Sequence, residues 1–152
     1  MIIKILIPVF NDWQSVFKLL DEINSILSNI KEEVSVVIVN DASNHDRPDE
    51  NKEFENISSI KILNMKINQG HTRCIGTGLK YIFEKEEFDY VIPMDGDGED
   101  RPQEIKEFIN QINFLENKPI VGERVKRSEN LIFKIFYQLH KLITLTFTGK
   151  SI

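Results

Sequence analysis

The sequence has little cysteine, no long apolar run and no excess of positive charge, and each shortage excludes a class of protein. Cys74 is the only cysteine among 152 residues, so no disulfide can form within the chain, and a reducing, cytoplasmic environment is expected. No uninterrupted apolar run approaches the roughly 18 residues that a membrane-spanning helix needs. The net charge of −5 gives no basic footprint for nucleic acid.

The composition is that of a globular protein, with 41% hydrophobic and 28% charged residues, which excludes a disordered chain. No repeat, low-complexity tract or linker interrupts the sequence, so residues 1–152 are expected to form a single domain. The apolar N-terminus runs into Pro8 without a small-residue cleavage site. It therefore predicts a first strand and not a signal peptide.

Strand-like and helix-like segments alternate along the chain. Apolar, β-rich runs predict strands at residues 2–7, 34–39, 60–63, 90–94 and 119–121. Apolar residues at helical spacing predict helices at 13–30, at 72–83, after Pro102 and at 129–147, with Asp12 as N-cap of the first. This order predicts an α/β fold in which a mostly parallel sheet carries helices on both faces.

Polar clusters follow four of the predicted strands, at residues 11–12, 40–43, 64–70 and 95–100. The carboxyl ends of parallel strands meet at one edge of a sheet, where such folds bind their ligands. We therefore expect these four loops to form one composite pocket.

The most informative cluster is acidic. Asp95, Asp97 and Glu99 alternate directly after an apolar run. On an extended backbone, alternate residues point to the same side, so the pattern predicts carboxylates gathered at the tip of a buried strand. Such a group suits Mg²⁺ or Mn²⁺. An EF-hand beginning at Asp95 is excluded, because Asp100 and Lys106 occupy the positions that require Gly and Glu.

The other clusters leave alternatives open. Asp41 suits contact with a base or ribose, or a simple turn. Residues 68–70, with His71 or Arg73 as further donors, suit a phosphate at a helix N-terminus, or an ordinary glycine turn. A basic cluster at residues 124–127 suits pyrophosphate, or a solvated surface. A phosphatase with an aspartyl nucleophile also places Asp-x-Asp after a strand, but its downstream lysine and further acids are not evident.

Taken together, the clusters resemble the family 2 glycosyltransferases of the GT-A fold, and in particular the branch of dolichyl- and polyprenyl-phosphate sugar synthases. The matching segments come in family order and cover nearly the whole chain. They are Ile7-Pro8-Val9-Phe10-Asn11, Val39-Asn40-Asp41-Ala42-Ser43, Asn68-Gln69-Gly70-His71, Gly78-Leu79, the run from Met94 to Pro102, and Val121-Gly122-Glu123-Arg124.

The resemblance implies a role for each matching position. The implied donor-binding residues are Pro8, Val9, Asn11, Asn40, Asp41, Asn68, Gly70 and Asp95. The implied metal ligands, for Mg²⁺ or Mn²⁺, are Asp95, Asp97 and Glu99, where Glu99 replaces a frequent Gln. Asp95, Asp97 and Arg124 are the implied catalytic residues, and Arg124 and Arg127 are expected near the diphosphate or the acceptor phosphate.

The expected activity is metal-dependent, inverting transfer of a sugar from a UDP- or GDP-sugar to a polyprenyl-phosphate-like acceptor. Relatives continue beyond this chain, so we expect it to be the donor-binding, N-terminal part of such an enzyme. A non-catalytic donor-binding module is the alternative. A nucleotidyltransferase is a weaker one, because residues 8–12 do not form a glycine-rich basic loop.

The predicted helix at 129–147 has only a narrow polar stripe. Packing within its own protein is one interpretation of this pattern. The others are a position on the cytoplasmic membrane surface, near a lipid-phosphate acceptor, and formation of a homodimer.

Overall fold

A computed structural model of the chain describes residues 1–45, 52–112 and 119–122, together with Lys141 and Thr146. The chain divides into two compact units, Met1–Lys118 and Pro119–Ile152. Whether residues 1–152 act as one domain stays a prediction. The predicted helix at 129–147 lies outside the described residues except for Lys141 and Thr146, which are both helical. None of the described helices is both long and apolar enough to span a bilayer.

The described part of the first unit is built around a parallel sheet. Its elements in chain order are β1 (Ile2–Val9), α1 (Trp13–Leu27), β2 (Glu33–Asn40), β3 (Ile60–Asn64), α2 (His71–Lys85), β4 (Tyr90–Pro93) and α3 (Gln103–Ile112). The strands lie in the order β3-β2-β1-β4, and every pair is parallel. The predicted α/β fold is confirmed.

Alternating residues of the central strands supply two apolar layers. On one face, Ile3, Ile5 and Ile7 of β1 pack in the same cluster as residues of α1 and α3. On the other face, Leu6 packs in a cluster with Cys74 and other residues of α2. The prediction of helices on both faces is therefore confirmed. Burying each such aliphatic side chain contributes about 1.5–3 kcal/mol, so these layers are the main stabilising force.

The beginning of α1 is fixed by a side-chain cap. The carboxylate of Asp12 accepts a hydrogen bond from the backbone N–H of Ser15 at 3.3 Å, as the predicted N-cap requires. The helix ends at Leu27 and not at Ile30, because the chain turns there, with the N–H of Ile30 bonded to the carbonyl of Leu27 at 2.9 Å. Ile30 still packs against the core from that turn.

Two sequence predictions about strands are wrong. Residues 119–122 form no strand, and Val121 is 86% exposed. The apolar character of residues 119–121 was therefore not sufficient evidence for the predicted strand. The strand before the acidic cluster is not buried. Within the described sheet, β4 pairs only with β1, and each of its residues is half-buried or exposed.

A charged cluster lies on the α2 face, in the half of the sheet where the strands begin. Lys4 of β1 is only 7% exposed and pairs with Glu86 at 3.4 Å. Lys61 of β3 also binds Glu86, and its ammonium group lies 5.5 Å from the Tyr81 ring. The hydrogen bond from Lys61, with Lys4 adding to it, lowers the pKa of Glu86 despite partial burial. Glu86 therefore supplies the compensating charge for a nearly buried lysine.

Neutralising Glu86 is expected to destabilise the fold in a pH-dependent way. Because its pKa is lowered below 4.5 in the folded state, its contribution is complete above that pH and is lost as the pH falls through the lowered value. Glu86→Gln should lower the free energy of unfolding at pH 7 by about 1–3 kcal/mol and flatten its decline in acid. Urea denaturation at about six pH values between 3 and 7 measures both the lower stability at pH 7 and its flatter decline in acid.

The matched control is Glu84→Gln in the last turn of α2, where Glu84 pairs with Lys80 at 3.8 Å on an exposed surface. Exposed pairs contribute less than about 1 kcal/mol. Equal losses in the two variants would contradict the role given to Glu86.

Candidate functional site

A cavity of about 260 Å³ opens at the carboxyl end of the sheet, between β1 and β4. It lies where the chain changes direction across the sheet, because β2 and β3 lie on one side of β1 and β4 on the other. Crevices at such switch points are where open α/β sheets bind ligands. The lining residues come from the β1 end, the α1 and α2 starts, and the loop after β4: Pro8, Val9, Phe10, Asp12, Val16, His71, Asp95, Gly96 and Asp97.

The acidic segment after β4 is a turn and not a continued strand. The strand ends at Pro93, and the carboxylate of Asp97 accepts the backbone N–H of Glu99 at 2.9 Å. The carboxylate of Asp100 accepts the N–H of Asp95 at 2.8 Å. Gly98 has φ of +84°, which turns the chain without the strain that a side chain would cause. The extended geometry expected from the alternating acids is therefore wrong, because these carboxylates bind the loop's own backbone.

This turn leaves one of the three predicted metal ligands outside the lining of the cavity. Asp95 and Asp97 line the cavity, whereas Glu99 is exposed and does not line it. Among the residues that the structure describes, no three His, Cys, Asp or Glu side chains converge as a metal site would require. The structure thus brings together two of the three predicted ligands, and metal binding stays a prediction.

Asp95 lies where its negative charge is disfavoured. Partial burial raises the pKa of its carboxyl group, His71 opposes the rise, and the nearby Asp100, Asp97 and Glu99 carboxylates add to it. The His71 Nε2 atom lies 3.4 Å from Asp95 Oδ1. A carboxylate whose charged form is disfavoured in this way gains from an approaching cation. Two carboxylates at an open cavity are also a donor set that suits Mg²⁺ or Mn²⁺.

The N-terminus of α2 supplies an opposite charge to the same cavity. Gly70 precedes the helix without a side-chain cap, and no acidic residue occupies the first turn. Within the described part of the chain, the N–H groups of that turn therefore lack side-chain acceptors, and His71, its first residue, lines the cavity. Such a terminus favours an anionic ligand. The cavity thus combines a pair of carboxylates for a cation with a helix terminus for an anion.

Asp41 orients this helix terminus. It is 3% exposed, and its two carboxylate oxygens accept the backbone N–H groups of Gln69 and Gly70, each at 2.8 Å. These bonds fix the loop that leads into α2. Asp41 does not line the cavity. The structure gives it a positioning role, and its predicted contact with a base or ribose is untested.

A second set of polar side chains joins the loops that follow the first three strands. The N–H of Asn11 donates to the Ser43 hydroxyl at 2.8 Å, and the N–H of Ser43 donates to Asn40 Oδ1 at 2.9 Å. The Asn40 amide then donates to Asn64 Oδ1 at 2.9 Å. Asn40 thus acts as a donor to Asn64, a role that a carboxylate could not fill.

The predicted donor-binding residues therefore fall into two groups. Pro8, Val9 and Asp95 line the cavity, together with the predicted metal ligand Asp97. Five others do not line it, namely Asn11, Asn40, Asp41, Asn68 and Gly70. Arg124 and the rest of the basic cluster at 124–127 lie outside the described residues, so their roles stay predictions.

Phe10 is an exposed lining residue to which the sequence analysis gave no role. It is 50% exposed and lies directly after β1, at the cavity. An apolar ring in an otherwise polar loop, immediately after a buried strand, was the available signal. Gly96 is also informative, because a Cβ there would lie 2.9 Å from Val16 Cγ2 and 3.3 Å from the Pro8 carbonyl oxygen. The glycine lets the acidic turn approach β1 and α1.

Comparison with known proteins places the chain among glycosyltransferases. The sequence model of glycosyl transferase family 2 matches residues 4–150. An uncharacterized protein of Methanocaldococcus jannaschii is 23% identical over 121 residues, which are 78% of this chain and 50% of that protein.

Solved structures of S. aureus TarS have the same fold. TarS 1–349 superimposes with a TM-score of 0.56 at 20% identity, covering 84% of this chain and 39% of TarS 1–349. Its complex with UDP gives a TM-score of 0.54 at 17% identity, covering 88% and 44%, and its complex with UDP-GlcNAc gives 0.56 at 18%, covering 84% and 39%. The chain thus spans half or less of the length of these proteins. With a family match over nearly its full length and the GT-A-like sheet described above, the chain belongs to glycosyl transferase family 2.

Proposed function

We propose that the cavity between β1 and β4 binds the diphosphate of a nucleotide sugar, and that the protein transfers the sugar to an acceptor. One observation carries the proposal: the Asp95–Asp97 carboxylates and the uncapped N-terminus of α2 meet at the same cavity. A diphosphate with a bound cation matches both, because the cation contacts carboxylates and the phosphate oxygens contact backbone N–H groups. UDP and UDP-GlcNAc bound to TarS support a uridine nucleotide, and a GDP-sugar is the second choice.

Mg²⁺ or Mn²⁺ would be held by Asp95 and Asp97. When bound, the cation neutralises the departing nucleoside diphosphate. The N-terminal N–H groups of α2 and His71 orient the same phosphates, and Asp41 keeps that terminus in place. The roles of Glu99 beside the cation and of Arg124 beside the phosphates are part of the proposal that rests on the family resemblance.

The acceptor that we propose is a polyprenyl phosphate, with inversion at the anomeric carbon. A phosphate oxygen is already a nucleophile at neutral pH, so this reaction requires no strong general base. The protein would then work on the cytoplasmic face of a membrane, with the predicted helix at 129–147 contacting the lipid surface or a second copy of the chain. The resemblance to polyprenyl-phosphate sugar synthases supports this acceptor.

Calorimetry with UDP, GDP and their sugars, with and without MnCl₂, tests donor binding. We expect binding that depends on the metal and that Asp97→Ala abolishes. Asp21→Ala is the matched control, because Asp21 is an exposed aspartate of α1 that pairs with Lys52 at 2.6 Å and does not line the cavity. Metal-independent binding, or equal effects of the two variants, would contradict the proposed site.

A donor-binding module without catalytic activity is the second candidate. It is favoured by one observation, that the chain spans 50% of its archaeal relative and 39–44% of the TarS 1–349 structures. Sugar transfer to a polyprenyl phosphate separates the candidates. Transfer by this chain alone supports the enzyme, whereas donor binding without transfer supports the module.

Phe10 is proposed as the platform for the base. Its ring is half exposed and lines the cavity, and stacking on an aromatic ring contributes about 1–3 kcal/mol per base. Phe10→Ala should weaken UDP binding by roughly tenfold, while Phe10→Tyr should bind nearly as the wild type does. Calorimetry with pyrophosphate is the control, because an effect on pyrophosphate as large as that on UDP would exclude a role in base stacking.

A further inference from the structure

His45, in the loop after β2, is held against the loop after β1. Its backbone N–H donates to Asn11 Oδ1 at 3.2 Å, beside the N–H of Asn44, which donates to the same oxygen at 2.8 Å. Its ring Nδ1 lies 3.1 Å from the backbone carbonyl oxygen of Asn11. Main chain and ring are thus both fixed to one residue, which sets the position of the imidazole.

This contact determines what the other ring nitrogen can do. A carbonyl oxygen only accepts hydrogen bonds, so Nδ1 must carry the hydrogen. In the neutral imidazole, Nε2 then has a lone pair and acts as an acceptor. The Asn11 backbone therefore selects the tautomer that presents an acceptor on the far side of the ring.

The residue that anchors His45 is adjacent in sequence to two residues that line the cavity. Asn11 stands between Phe10 and Asp12, which both line it, and Phe10 is the proposed platform for the base. The acidic side chain that the sequence analysis assigned to the base, Asp41, is buried and accepts two backbone N–H groups. The loop after β1 thus carries the aromatic platform and, through Asn11, holds an imidazole acceptor in a fixed position.

We propose that His45 determines base specificity by accepting a hydrogen bond from uracil N3–H through Nε2. Cytosine has a lone pair at N3, which would face the Nε2 lone pair, so the same geometry disfavours a cytidine nucleotide. A single hydrogen bond of this kind contributes about 0.5–1.5 kcal/mol, and loss of it leaves an unpaired acceptor. The inference rests on the proposed function and narrows its donor to a uridine nucleotide.

The test is calorimetry of UDP and CDP, at one Mg²⁺ concentration, with the wild-type chain and with His45→Asn. The asparagine amide can still donate to the Asn11 carbonyl, so this variant keeps the anchor and removes the acceptor. We expect the wild type to bind UDP on the order of tenfold more tightly than CDP. In His45→Asn the ratio should fall to about one, with the thermal unfolding midpoint unchanged. His45→Ala, which loses the anchor as well, should give the same ratio.

The possible outcomes distinguish a failure of this inference from a failure of the proposed function. Binding of both nucleotides without preference in the wild type, or a preference that survives in His45→Asn, would overturn the role of His45 and leave the nucleotide site standing. Binding of neither nucleotide would overturn both. A structural role alone would lower the unfolding midpoint and weaken UDP and CDP equally, and that result also counts against specificity.

Discussion

Replacing Asp95 with asparagine is expected to abolish metal-dependent binding of UDP and to slow any sugar transfer on the order of a hundredfold or more. Asp95 lines the cavity with Asp97 and lies 3.4 Å from His71 Nε2. The amide keeps the size of the side chain and removes the charge that a cation needs. Calorimetry with and without MnCl₂ measures the binding, and a single-turnover assay measures the transfer.

The thermal stability of Asp95→Asn tests whether Asp95 serves ligand binding or the fold. Partial burial and the neighbouring carboxylates raise the pKa of Asp95 in the folded protein. A raised pKa means that the ionised form is disfavoured by folding, so at neutral pH its charge lowers stability. Asp95→Asn should therefore unfold at the same temperature as the wild type or higher. Loss of binding together with loss of folding would contradict the view that Asp95 serves binding and not the fold.

Glu99→Gln is the comparison within the same loop. Glu99 does not line the cavity, and its backbone N–H donates to Asp97 Oδ1 at 2.9 Å. The described geometry therefore predicts a smaller loss of metal-dependent binding than in Asp95→Asn. Equal losses would show that Glu99 is a metal ligand after all, as the family resemblance implies.

Replacing Gly78 with alanine is expected to destabilise the fold by about 1–3 kcal/mol, although alanine is the better helix former. Gly78 is buried where α2 crosses the sheet. A Cβ at this position would lie 2.3 Å from Leu6 Cδ1 and 2.8 Å from Val39 Cγ2. Both neighbours are buried core residues of the central strands. The helix would have to move outward, which would also shift the α2 N-terminus at the cavity. Urea denaturation measures the effect.

Gly76→Ala on the same helix is the matched control. No described atom lies within 4 Å of a Cβ built there. The substitution should therefore stabilise the protein by up to about 1 kcal/mol, through helix propensity alone. If both variants changed stability in the same direction, the close approach of α2 to the sheet would not be the reason for glycine at residue 78.

The order of strands and helices could be predicted from the sequence because it follows from local pattern. The β-branched run of β2 and the apolar face of α1 need only their period to be recognised. The predicted segments agree with β1, β2, β3 and α2 to within two residues at each end. The strand at 119–121 failed because a short apolar run does not say whether a neighbouring strand is present.

The site could be predicted in its location but not in its geometry. The rule that ligands bind at the carboxyl ends of parallel strands placed the clusters at 11–12, 40–43, 64–70 and 95–100 at one edge. The cavity lies at that edge, but only the first and last of these clusters line it. The alternating acids suggested an extended chain, but Asp97 and Asp100 bind backbone N–H groups of their own loop. Asp41 is similar, since its partners Gln69 and Gly70 are 28 and 29 residues away along the chain. Such contacts depend on loop conformation, which residue pattern does not encode.

The most direct test of the central claim is the change in backbone amide NMR shifts of the ¹⁵N-labelled chain when UDP and MgCl₂ are added. The account predicts that the largest changes fall on the cavity and the α2 N-terminus, at Phe10, His71, Thr72 and Gly96. Glu86, in the charged cluster at the other end of the sheet, should not respond. Changes that centre on that cluster, or no changes at saturating UDP, would contradict a nucleotide site between β1 and β4.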